Sequence, residues 1–119
     1  MAVSTIPVTR RITVTDGSGI GGSAYINSFD ARIVSVIGNT CCVLVACTTA
    51  AIPAWTQFLT IASAYRNSDL THMRIAANKS QSSSFVEITV NPSTGYIATL
   101  ADAIPSGTLI SFYVTYPLP

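Results

Sequence analysis

Apolar and polar residues alternate along most of this chain, and the period of the alternation is two. In "SFVEITV", Val86, Ile88 and Val90 fall on one side while Glu87 and Thr89 fall on the other. In "TLISFYVTY", Ile110, Phe112, Val114 and Tyr116 share a side against Ser111, Tyr113 and Thr115. This alternation predicts half-buried β-strands. "ARIVSVI" and "TCCVLVAC" are apolar on both sides, as strands are in a sandwich core or at a subunit contact. "QFLTIA", "THMRIA" and "GYIATL" are shorter candidates. Turn signals separate these runs at Gly38-Asn39, at Pro53, over 66–69, 78–84 and 91–95, and from Pro105 to Gly107. About seven or eight short strands and no helical pattern beyond a single turn predict an all-β protein, an antiparallel sandwich of jelly-roll type. Residues 1–30 hold Pro7, four of the seven glycines and little sustained pattern. They are expected to form an N-terminal arm or linker leading into a domain over residues 31–119.

Composition sharpens this picture. The 119 residues suffice for one domain. Hydrophobic residues make up 49% and charged residues only 9%, against about 25% charged in ordinary soluble domains. With 14 Ser and 15 Thr, the polar surface is largely neutral. Scarce charge together with doubly apolar strands predicts that part of the surface is buried against other subunits, since interface cores are depleted in charge. The net charge of +1 leaves no electrostatic footprint for nucleic acid. The stretch 33–65 carries no charge, but Gly38, Asn39, Thr40, Thr48, Thr49 and Pro53 interrupt it. It falls short of the ~20 consecutive apolar residues of a membrane span, and no membrane insertion is expected. Residues 1–11 lack the apolar run of a secretory signal. Cys41, Cys42 and Cys47 are crowded and odd in number. That argues for small buried hydrophobes in a reducing compartment, with neither a disulfide framework nor a metal site.

One motif demands a test. "TVTDGSGIGG" places Gly17, Gly19 and Gly22 as G-x-G-x-x-G after a strand-like run. A dinucleotide turn needs a helix after these glycines and an acidic residue about 20 positions on. The chain instead continues into β-branched residues, and 37–41 holds no acid. The glycines are expected to give a joint its backbone freedom, and no cofactor is expected. Asn78-Lys79-Ser80 fits a glycosylation acceptor but lacks a secretory context. Catalysis finds little to work with. His72 is the single histidine, no nucleophile-elbow motif is present, and Asp16, Asp30, Asp69, Glu87 and Asp102 stand singly. A non-enzymatic protein is expected, a small hydrolase using His72 being the rival from another class.

The second half of the chain carries a resemblance. "LTIASAYRNSD", "VEITVNPSTGYIATL" and "IPSGTLISFYVTYP" follow one another over residues 56–117. In this order they resemble the C-terminal head, or tip, domain of phage tail-fibre and baseplate receptor-binding proteins. Tyr65, Arg66 and Ser68 match a first element, Gly95 and Ile97 a second, and Gly107, Ser111, Tyr116 and Pro117 a third, with Ala64 and Asn67 standing where the family usually has Gly and Pro. The resemblance implies a homotrimeric β-sandwich in the virion tail, assembled in the host cytoplasm. It also implies recognition of host cell-surface saccharide, with attachment to other tail or virion proteins through the N-terminal arm. A purely structural virion, decoration or fibre-assembly domain without sugar binding is the alternative. Candidate saccharide contacts are Trp55, Tyr65, Arg66, Asp69 and His72. A lone Trp is more often a half-buried core aromatic. Tyr65 and Arg66 read equally well as locks of their turn, and His72 with Arg74 as a solvated strand face.

Overall fold

The computed structural model of the protein describes residues 11–14 and 17–119. Nine strands run in chain order: β1 (Arg11–Val14), β2 (Ile20–Gly21), β3 (Ile26–Ile37), β4 (Thr40–Thr49), β5 (Gln57–Ile61), β6 (Met73–Lys79), β7 (Ser84–Asn91), β8 (Tyr96–Thr99) and β9 (Leu109–Pro117). Every pairing is antiparallel, and a short 3-10 turn at Ser63–Tyr65 is the one helical element among the described residues. The all-β expectation holds. The pairing runs unbroken in the order β1-β3-β4-β9-β6-β7-β8-β5-β2, a curled sheet approaching a barrel instead of two separately hydrogen-bonded layers. Two links are only two residue pairs wide, β2 to β5 and β6 to β9, the latter through Asn78↔Ser111 and Lys79↔Ile110.

The strands form where alternation predicts them, because each can turn one side inward. Val86, Ile88 and Val90 of β7 are buried, as are Ile110, Phe112, Val114 and Tyr116 of β9. They meet Cys41, Val43, Val45 and Cys47 of β4, Phe58, Leu59 and Ile61 of β5, and Ile97 of β8. A fully buried aliphatic or aromatic side chain contributes about 1.5–3 kcal/mol, so this interior dominates the stability. Phe58 and Leu59 are adjacent yet both buried. The register shift between Gln57 and Leu59 permits this, since a bulge changes the phase of the alternation. The β3–β4 hairpin closes through Gly38, whose φ of 61° suits a tight two-residue turn. Ser80 and Gln81 adopt φ of 57° and 51° between β6 and β7. Ser82 Oγ donates to Lys79 O (2.7 Å), and Asn78 Nδ2 donates to Ser82 O (2.6 Å). The acceptor-like Asn78 thus uses its amide to hold this turn.

The N-terminal region differs from the expected arm. Residues 1–10, 15 and 16 lie outside the described residues, but residues 17–30 are woven into the fold. Ile20↔Ile61 and Gly21↔Thr60 join β2 to β5, and β3 begins at Ile26. No helix follows the glycine motif. The motif forms the seam where the far end of the curled sheet returns to β3. Arg32 Nη1 donates to Ile20 O across it (3.3 Å), and the guanidinium carbon sits 4.2 Å from the Phe29 ring centroid.

Cys41, Cys42 and Cys47 are all free thiols. Burial, reinforced by Asp30, pushes the Cys47 thiol up to about 12. Burial also raises Cys41, partly offset by its hydrogen bond with Tyr116, and raises the Tyr116 hydroxyl well above its ordinary value. In the unfolded chain Cys47 ionises near 9.0. Between that value and about 12 the unfolded state binds fewer protons than the folded one, so rising pH favours unfolding. Urea unfolding at stepped pH is expected to show stability falling across this alkaline window. Cys47→Val should flatten the fall. An unchanged slope in the variant would assign the effect to other groups.

Candidate functional site

A groove crosses the outer surface of β6, β7 and β8. Its floor follows from register. Arg74, Thr89, Ala98 and Gln57 stand opposite one another in turn across β6, β7, β8 and β5. Small side chains at Thr89 and Ala98 leave a depression between the taller Arg74 and Trp55. Trp55, His72, Arg74, Thr89, Ala98, Thr99 and Leu100 line a space of about 410 Å³, within the usual 300–1,000 Å³ of small-ligand sites.

The Trp55 wall is built rigidly. Thr99 is buried, and its hydroxyl donates to Pro53 O (2.6 Å) while accepting from Thr56 N–H (2.9 Å). Trp55 N–H donates to Leu100 O (2.9 Å). The clamped loop holds Trp55 at φ 57°, a left-handed conformation that costs an L-residue about 1–2 kcal/mol. Trp55 is nonetheless 70% exposed, which overturns the core-aromatic expectation. Strain at a large exposed aromatic side chain is characteristic of functional positions.

The opposite wall is polar. His72 precedes β6 and lies 3.5 Å from the Asn91 amide nitrogen. Arg74 Nε pairs with Glu87 Oε1 at 2.7 Å, both side chains being largely exposed, so the pair adds at most about 1 kcal/mol to stability. On the floor, Thr89 Oγ1 is buried without a hydrogen-bond partner. Most buried hydroxyls have one, and leaving one unmade costs about 1–3 kcal/mol.

Of the expected contacts, the structure brings Trp55 and His72 into this groove and leaves Tyr65, Arg66 and Asp69 out of its lining. Tyr65 and Arg66 lock their turn. Arg66 Nε donates to Ile61 O (2.8 Å), and Tyr65 O accepts the Tyr116 hydroxyl (2.5 Å). Asn67 is buried, and its amide donates to Pro117 O (2.9 Å). Its carboxamide oxygen accepts from Asp69 N–H (2.9 Å), while the Asp69 side chain faces solvent. Tyr65-Arg66, Gly95 and Tyr116-Pro117, drawn from all three segments that carry the family resemblance, meet at this knot and serve the fold. Thr89 and Ala98 were missed as site residues. Their strands were legible, but the cross-strand register that makes them neighbours of Trp55 was not.

Among the described residues no group of three His, Cys, Asp or Glu could hold a metal ion, and no helix is long and apolar enough to cross a membrane. No family model matches the chain, and no curated protein shows significant similarity to it.

Proposed function

We propose that this chain is a non-catalytic recognition module of a phage tail-fibre or baseplate tip, assembled as a homotrimer, that binds host cell-surface saccharide in the Trp55 groove. The observation that carries the reading is Trp55, held exposed at a left-handed φ on the wall of the groove. A sugar ring stacked on the indole would shield apolar C–H surface. His72 and Arg74 would supply further polar contacts. The His72 environment supports binding over catalysis, because a Ser-His-acid arrangement needs a carboxylate to orient the imidazole, and the neighbour of His72 is the Asn91 amide. The resemblance over residues 56–117 supplies the phage context.

A glycan array on the purified oligomer, followed by titration of the best hit, tests the reading. Trp55→Ala is expected to weaken binding at least tenfold, about 1.4 kcal/mol. Trp55→Gly should weaken it as much while leaving the fold at least as stable, because glycine adopts a positive φ without strain. Binding that survives both substitutions would remove the groove from the proposal. An array without hits would favour the alternative, a structural virion or fibre-assembly domain.

A further inference from the structure

The segments that are apolar on both sides, residues 33–37 of β3 and 41–47 of β4, bury only one of them. On the outer side, register places Ile33, Leu44 and Tyr113 in a row across β3, β4 and β9. A second row, Ala31, Ala46 and Ser111, runs beside it, and continues through Asn78 to Phe85. Tyr113 is 60% exposed, Phe85 59% and Leu44 38%. Neither row contains an acidic or basic residue. Elsewhere, Arg74 and Glu87 pair with each other on the outer side of β6 and β7, Arg32 bridges the seam, and Arg66 lies in the turn below β5.

We infer that the outer face of β3, β4 and β9, centred on Leu44 and Tyr113, is the contact through which copies of this chain assemble. This rests on the homotrimer in the proposed function and names the surface that forms it. The occupant follows from charge. A partner with an ionic surface would lose the hydration of its charges here and gain no counter-charge, a cost of several kcal/mol per ion. Around a three-fold axis each chain would meet its two neighbours through adjoining halves of these uncharged rows, so contact buries apolar area and strands no ion within them. Interface cores show this composition, depleted in charge and enriched in aromatic residues. Contiguous exposed apolar patches are otherwise uncommon on monomers. The groove begins at Arg74 of β6, past β9 in the order of the sheet, so assembly through β3, β4 and β9 leaves Trp55 open to ligand.

Light scattering at micromolar concentration tests the inference on wild type, Leu44→Asp, Tyr113→Asp and Trp55→Ala, with far-UV circular dichroism melts to confirm folding. Wild type and Trp55→Ala should both give three times the chain mass of 12.5 kDa. Leu44→Asp and Tyr113→Asp should give one chain mass with the melt of a folded protein. Should Leu44→Asp fail to fold, Tyr113→Asp, at the more exposed position, decides the outcome. Aspartate variants that are folded and still trimeric would overturn this assignment of the face while leaving the trimer intact. A monomeric wild type would overturn both, and would leave the face to a different partner.

Discussion

Replacing Gly95 with alanine is expected to destabilise the fold by about 3 kcal/mol, the sum of two separable costs. Gly95 has φ 79°, where a Cβ alone costs about 1–2 kcal/mol. The site is also full. A Cβ there would lie 2.5 Å from Ile61 O and 2.5 Å from Arg66 Nε. Ile61 O accepts from that same Arg66 Nε, and Ile61 N–H donates to Gly95 O (2.7 Å). The methyl group must therefore displace a backbone carbonyl and loosen two hydrogen bonds, each worth about 1 kcal/mol. Gly107 supplies the control. It has the same φ of 79°, but a Cβ there would meet nothing within 4 Å. Gly107→Ala should show the conformational cost alone, about 1–2 kcal/mol. Urea denaturation of the two variants measures the difference. Equal losses would mean that the knot of Ile61, Arg66 and Gly95 adds nothing beyond backbone strain.

The contrast between these glycines shows where sequence reading reaches its limit. Both stand in turn signals, and the chain alone does not say which turn is packed and which is open. The strands themselves were legible because their evidence is local. Val86, Ile88 and Val90 alternate with polar residues within a single run, and the same holds from Ile110 to Tyr116. The doubly apolar segments at Ile33–Ile37 and Cys41–Cys47 were legible as unusual. One side does lie in the core, through Val34, Val43 and Val45, and the other looks outward through Ile33 and Leu44. The groove was legible only in part. Trp55 and His72 stand out by rarity, whereas Thr89 and Ala98 are ordinary strand residues. They matter because β7 and β8 pair in a register that sets them side by side, and register is a non-local property. Tyr65 and Arg66 attract notice for their chemistry, but the Tyr65 carbonyl and the Arg66 Nε hold the turn to β9 and β5.

The glycine motif makes the same point and yields the second large effect. Gly19 is buried, and its conformation is not left-handed, so backbone freedom does not explain it. A Cβ there would lie 2.5 Å from Val34 Cγ2 and 3.1 Å from Val34 Cβ, with Tyr65 Cε2 at 3.5 Å. Gly22 is similar, its Cβ falling 3.0 Å from Phe29 Cε2. These glycines let the seam segment lie against β3, and Gly19 O accepts from Ala62 N–H (2.9 Å) to hold it there. Val34 is β-branched and 1% exposed, so it has few rotamers and no room in which to yield. Gly19→Ala is therefore expected to cost about 2 kcal/mol, within the usual 1–3 kcal/mol of overpacking. A freely moving joint would lose almost nothing. Val34→Ala alone should also destabilise, by leaving a cavity. In the double variant the new methyl group occupies the space that Val34 vacates, so the two losses should fall short of adding by 1 kcal/mol or more, as expected for residues in contact. Urea unfolding of wild type, both single variants and the double variant completes the cycle. Strict additivity would separate Gly19 from Val34 and return the motif to the role of a flexible joint. Calorimetry with NAD and ATP on the wild-type protein is the parallel check. Saturable binding lost in Gly19→Ala would mean that the glycines hold phosphate as well as the seam.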